Sequence, residues 1–162
     1  MNCTTQLGEP GPWHERLPHF RMDFTPSNGD EIQSEFLVPR AHAVAAMQAM
    51  RALADQIAPL LQVSEIRTIA GDDLWLSTAQ GGDRVGLHFT WLPQQAEVEA
   101  LLATIEVALA PFDARPHWGK VFLDQGGTLP RLYPHWDDFR ELAARVDPDQ
   151  VFGNDWLQRH GL

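Results

Sequence analysis

A single cysteine, Cys3, among 162 residues excludes an internal disulfide framework and fits a reducing compartment. Basic side chains are scarce, twelve against twenty-two acidic ones for a formal net charge of -10. That balance opposes nucleic-acid phosphate and anionic membrane surfaces, so no nucleic-acid partner is expected. No apolar run approaches the length of a membrane span. The opening MNCTTQLGEPGPW has no basic start followed by an apolar stretch, so the expectation is a soluble cytoplasmic protein with no membrane span. G-x-G-x-x-G, G-x-x-x-x-G-K-[ST], C-x-x-C and H-E-x-x-H are all missing, which removes the common phosphate-cradling and metal-binding signatures. His14 with His19, or His117 with His135, lack helical i,i+4 spacing, and no metal site is expected.

What is present is a chain long enough for one well-buried core, with 44% apolar residues, hence one domain or a fragment of a larger protein. Residues 1–13 are rich in Gly and Pro and read as an extended entry segment. HFRMDFT (19–25) and EIQSEFLV (31–38) alternate as strands do, with PSNGD between them suggesting a hairpin. From Arg40 to Leu60, Ala43, Met47, Met50, Ala54 and Ile57 recur at helical spacing behind Pro39. LQVSEIRTIA (61–70) and RVGLHFTWL (84–92) read as strands. A second helix over 94–110 puts Val98, Leu101, Leu102, Ile105 and Leu109 on one face and Glu97, Glu99 and Glu106 elsewhere, and Pro111 stops it. A last strand is expected over 115–123. The order β-α-β-β-α-β predicts an α+β fold of the split-βαβ, ferredoxin-like type, an antiparallel sheet with both helices on one face. Residues 129–162 read as two helical pieces broken at Pro134 and Pro148.

Strand side chains two apart share a face. Val85, Leu87, Phe89 and Trp91 form an apolar set that packs under the helices. His88 and Thr90 then share the opposite face with Gly86, as do Glu65 and Arg67 on their strand and Gln33 and Glu35 on theirs. The segment ARPHWGKVF (114–122) places Trp118, Lys120 and Phe122 on a common face if it is a strand. Two readings of the helix-free face are open. It is a solvated surface, as half-exposed antiparallel sheets usually have. Or its mixture of donors and acceptors is a site for a polyhydroxylated ligand, whose neutral hydroxyls need both.

With these residues in view, the chain resembles the C-terminal, substrate-binding part of the flavin-dependent alditol and aldonolactone oxidases, the D-arabinono-1,4-lactone oxidase branch of the vanillyl-alcohol-oxidase superfamily. The resemblance rests on QLGEPGPWHERLPHFRMDFTPSNGDEIQSEFLVPR, SEIRTIAGDDLWLS, LHFTW, RPHWGK and DPDQVFGNDWL, in that order. It implies a cap over the flavin of FAD, with an alditol or aldonolactone giving hydride to the flavin and O2 reoxidising it to yield H2O2. It further implies that Gln33, Glu65, Arg67, His88, Thr90 and Lys120 line the substrate site. Gln33 and Thr90 would bind substrate, and His88 and Lys120 would lie beside the reacting hydroxyl. Arg67 and Lys120 would stabilise charge on reduced flavin, and Glu65 would orient Arg67 and accept from a substrate hydroxyl. His88 and Lys120 both stand as the base. Residues 1–128 are expected to be the cap and 129–162 a tail that in the family returns to the FAD-binding domain. That domain is not in the sequence, so the chain alone is expected to be inactive, with a separate FAD-binding domain or chain as partner. A non-catalytic polyol-binding or protein-interaction module, or a degenerate fragment, is the competing expectation.

Overall fold

A computed structural model describes residues 9–16, 30–124 and 127–162. The strand expected at 19–25, and the hairpin it would make, lie outside the described residues. The chain divides into two units, 1–31 and 32–162. In the first, α1 (Trp13–Arg16) is one helical turn, held to the preceding backbone by the Arg16 guanidinium, which donates to the carbonyls of Glu9 and Pro10, each at 3.1 Å.

The second unit is a four-stranded antiparallel sheet in the order β2-β3-β1-β4, built from β1 (Ile32–Pro39), β2 (Leu61–Ile69), β3 (Arg84–Trp91) and β4 (Arg115–Pro116). This is the expected α+β arrangement. The stretch read as one helix over 40–60 is three pieces: a 3-10 turn at Arg40–His42, α2 (Ala43–Ala52) and α3 (Ala54–Ile57). The break falls at Leu53, which leaves helical geometry at φ -95° and ψ 8°. α4 (Gln95–Leu109) buries Val98, Leu101, Leu102, Ile105 and Leu109, the stripe its spacing predicts.

Phe36 and Val38 from β1 and Val85, Leu87, Phe89 and Trp91 from β3 meet Ala46, Met50, Ile57 and the α4 stripe in one core. The alternation of β3 therefore sorts its apolar residues under the helices as the sequence indicates. Trp91 is fully buried, and its indole N–H donates to Ser34 Oγ at 2.9 Å, so neither polar atom is stranded in the core. Glu106 lies off the α4 stripe, as expected, and is half-buried by a separate segment. Its carboxylate accepts the backbone N–H groups of Leu123, at 2.6 Å, and Asp124, at 3.0 Å. Burial raises its pKa in spite of these two bonds.

The last strand is far shorter than 115–123. Regular pairing with β1 covers only Arg115 and Pro116, after which His117 N–H donates to the Glu35 carbonyl and Val121 N–H to the Gln33 carbonyl, each at 2.9 Å. Two positions of β1 are thus spanned by a four-residue step, and the excess is taken up by a turn closed by Lys120 N–H on the His117 carbonyl at 3.1 Å. Trp118 and Lys120 accordingly do not share a strand face. Trp118 joins a second cluster with Leu129, Tyr133 and Trp136, and Lys120 returns over the sheet.

Residues 129–162 form three helices, α5 (Leu129–Leu132), α6 (Trp136–Val146) and α7 (Asp155–His160), where two pieces were expected. Trp118 stacks on Tyr133 at 5.2 Å and on Trp136 at 6.3 Å between ring centroids, and its indole N–H donates to the Leu76 carbonyl at 2.9 Å. Among the described residues no helix is long and apolar enough to cross a membrane.

Candidate functional site

The register of the three long strands builds the face opposite the helices. Glu35 lies across from His88 and His88 across from Glu65. In the next row Gln33 lies across from Thr90, and on the other side Gly86 lies across from Arg67. The turn after β4 then delivers Lys120. All six residues expected from the sequence, Gln33, Glu65, Arg67, His88, Thr90 and Lys120, therefore stand on one surface.

Three of them, Arg67, His88 and Lys120, meet at a residue to which the sequence gives no role. Glu35 is 5% exposed, and its Oε2 lies 3.0 Å from Lys120 Nζ and 3.5 Å from His88 Nδ1. Its Oε1 lies 3.3 Å from Arg67 Nη1. Arg67 in turn donates from Nη2 and Nε to Glu65 Oε2, at 2.8 and 3.2 Å. Lys120 Nζ is also 2.8 Å from His88 Nδ1, and His88 Nε2 is 3.1 Å from Thr90 Oγ1. The signal that points to Glu35 is its i+2 relation to Gln33 on the same strand face. What strand alternation does not supply is its burial, which comes from contacts with β2, β3 and the returning turn.

Burial works to raise the Glu35 pKa, but hydrogen bonds with His88 and Lys120 and the charges of Lys120 and Arg67 overrule it and hold the carboxyl at about 2. His117, at the start of the turn, is pushed below its usual pKa by burial and by the nearby Lys120 charge. Among the described residues no group of three or more His, Cys, Asp or Glu side chains is placed to hold a metal ion.

Gly86 makes the arrangement possible. A Cβ built there would sit 2.7 Å from Glu35 Oε1, inside contact distance, so the carboxylate occupies the volume a side chain would take. Gly86→Ala should displace Glu35 from Arg67 and lower stability by about 1–3 kcal/mol, seen as a reduced thermal midpoint. A midpoint equal to that of the parent chain would show that the carboxylate moves aside without loss.

Two carboxylates, a guanidinium and an amine on a strand-built surface, with imidazole, hydroxyl and amide groups beside them, offer both donors and acceptors. Arg67 has five N–H donors; Nε and Nη2 go to Glu65 and Nη1 lies within hydrogen-bond distance of both Glu35 oxygens.

The D-arabinono-1,4-lactone oxidase family profile matches residues 25–160. The chain is 52% identical over 157 residues to an alditol oxidase from a Streptomyces species, covering 97% of this chain and 38% of that protein. It is 35% identical over 132 residues to an L-gulono-1,4-lactone dehydrogenase of Mycobacterium tuberculosis, covering 78% of this chain and 30% of that protein. A mouse L-gulonolactone oxidase is 26% identical over 98 residues, 59% of this chain and 22% of its own length. The chain thus spans less than two fifths of the length of the relatives it matches.

Proposed function

Since the chain belongs to the D-arabinono-1,4-lactone oxidase family, we propose that it is the substrate-binding cap of an FAD-dependent oxidase that oxidises an alditol, or an aldonolactone, with O2 as acceptor. Residues 1–128 form the cap in this reading and 129–162 the tail toward the flavin-binding part. The observation that carries the proposal is the convergence of Gln33, Glu65, Arg67, His88, Thr90 and Lys120 on one sheet face.

The face fits the reacting end of a flavin rather than its phosphate end. Arg67 and Lys120 offer cationic N–H donors where negative charge develops, whereas no glycine-rich phosphate loop is present in the sequence. When bound, the flavin supplies the hydride acceptor and passes electrons on to O2. The residues of this chain do the rest. Gln33 and Thr90 hold hydroxyls of the substrate. Lys120 and His88, paired at 2.8 Å, take the proton from the reacting hydroxyl as its carbon gives up hydride. Glu65 fixes Arg67 through a two-nitrogen contact and accepts from a second hydroxyl.

The test is to join this chain to the flavin-binding portion of the Streptomyces alditol oxidase, in place of the matched part. Hydrogen peroxide is then measured with xylitol, sorbitol and an aldonolactone. Peroxide release with one of them is expected. A flavin-loaded chimera that turns over none of them sinks the reading, and if calorimetry then shows xylitol binding to the chain alone, the face belongs to a polyol-binding module.

A further inference from the structure

We propose that His117 is a positioning residue: as a neutral imidazole its side chain closes the turn that delivers Lys120 to the sheet face, and as an imidazolium it lets that turn open. The consequence for turnover rests on the oxidase reading above. The state of the turn does not.

The turn begins where the ladder ends. Regular pairing with β1 stops at Pro116, and the next contacts are the N–H groups of His117 and Val121 on the carbonyls of Glu35 and Gln33, each at 2.9 Å. Between these anchors, Lys120 N–H donates to the His117 carbonyl at 3.1 Å and Gly119 N–H donates to His117 Nδ1 at 3.0 Å. Both of these bonds inside the turn end on one residue. The ring lies against the glycine, since a Cβ built on Gly119 would stand 3.4 Å from His117 Cε1 and 3.6 Å from Nδ1. An acceptor side chain that takes the amide two residues on is the device by which Asn and Asp close turns, made here with an imidazole nitrogen. Closure sets direction. Trp118 leaves for the second cluster, where its indole N–H reaches Leu76, and Lys120, two residues later, meets Glu35 and His88.

A backbone N–H only donates, so the nitrogen it meets must present a lone pair. Nδ1 of His117 is therefore bare, Nε2 carries the proton and the ring is neutral. Protonation puts a hydrogen on Nδ1, donor against donor, and the Gly119 bond is lost. The charged and titratable groups facing the ring come from three elements: Lys120 from the turn itself, Glu35 from β1 and His88 from β3. Burial and then the Lys120 charge push the ring below its ordinary 6.5, outweighing Glu35, which favours the imidazolium. The turn is thus closed at neutrality and opens as the pH falls through that lowered value. Glu35 itself takes a proton only near about 2, so the two events are separable.

The test begins with proton and 15N NMR of the full chain, which needs neither flavin nor substrate. At neutral pH His117 should show a bare Nδ1 and a protonated Nε2, and the Gly119 amide should be protected from exchange. On acidification that amide should lose its protection and shift with the midpoint of the His117 titration. His117→Asn places Oδ1 where Nδ1 stood and does not titrate, so it should keep Gly119 protected through the same range and leave the Lys120 side-chain resonances in place. His117→Leu, which fills the space without an acceptor, should lose the protection and move the Lys120 resonances. In the flavin-loaded chimera at neutral pH, His117→Leu should lower kcat by about 10–100-fold, the scale of a small misplacement of a reacting group, and His117→Asn should recover most of that loss. A Gly119 amide that ignores the His117 titration overturns the proposal, and this measurement on the parent chain needs no variant to fold. Equal kcat in the Asn and Leu variants also overturns it and would assign His117 to packing. The expected NMR response in a chimera that oxidises no alditol would sink the oxidase reading alone.

Discussion

Lys120→Met in a flavin-loaded protein carrying this chain should slow anaerobic flavin reduction by alditol by about 10²–10⁴-fold, the usual contribution of a positioned acid–base group. Methionine keeps the unbranched apolar stem and fills the space, while the ammonium and its contacts with Glu35 and His88 at 3.0 and 2.8 Å disappear. Glu35 remains paired with Arg67 at 3.3 Å, so the face should not collapse. Stopped-flow absorbance of the flavin in the absence of oxygen is the measurement, because it isolates proton and hydride removal from reoxidation. Reduction as fast as in the parent would remove Lys120 from the chemistry and leave His88 as the base.

Acid should destabilise the chain through Glu35, and Glu35→Gln should abolish that part of the acid response. A carboxyl whose folded pKa lies below its ordinary value binds fewer protons folded than unfolded. Its stabilising contribution is therefore complete above the unfolded pKa and is withdrawn as the pH falls toward the folded one. For Glu35 the window runs from 4.5 down to about 2. At about 1.4 kcal/mol per pH unit the full contribution is about 3 kcal/mol, trimmed to about 2–3 kcal/mol because Arg67 is solvent-screened. Chemical denaturation at a series of pH values checks it: the difference between parent and Glu35→Gln should be largest near neutrality and vanish toward pH 2. A difference that stays flat across that interval would mean that Glu35 contributes no proton-linked stability.

Much of this site was legible because β3 is regular. Val85, Leu87, Phe89 and Trp91 alternate without interruption, which fixes His88 and Thr90 on the other face, and antiparallel pairing brings Glu65, Arg67 and Gln33 beside them. Lys120 was placed in the right neighbourhood by a wrong route. Alternation along 115–123 puts it on the face of Trp118, whereas the turn between His117 and Val121 sends the two apart. Pro116, which has no N–H, and Gly119 hint at the interruption, but strand periodicity has no means of counting the two extra residues. Glu35 stood on the correct face, yet its burial follows from contacts across β2, β3 and the turn, all distant in sequence. Helical spacing places Glu106 off the apolar face but does not show its partners, since Leu123 and Asp124 lie on a separate segment. The break at Leu53 has no proline or glycine to announce it.

The pairing of Arg67 and Lys120 with Glu35 and Glu65 leaves the sheet face with no monopole, within a chain of net charge -10. An uncharged polyol approaching it meets short-range dipoles only, and ionic strength, which screens beyond about 10 Å at 0.1 M salt, has little to act on. A carboxylate or phosphate ester of the same sugar would meet a repelling protein without surplus positive charge at the site to offset it. In the oxidase reading proposed above, charge cancellation would thus disfavour anionic sugars before any hydroxyl is recognised.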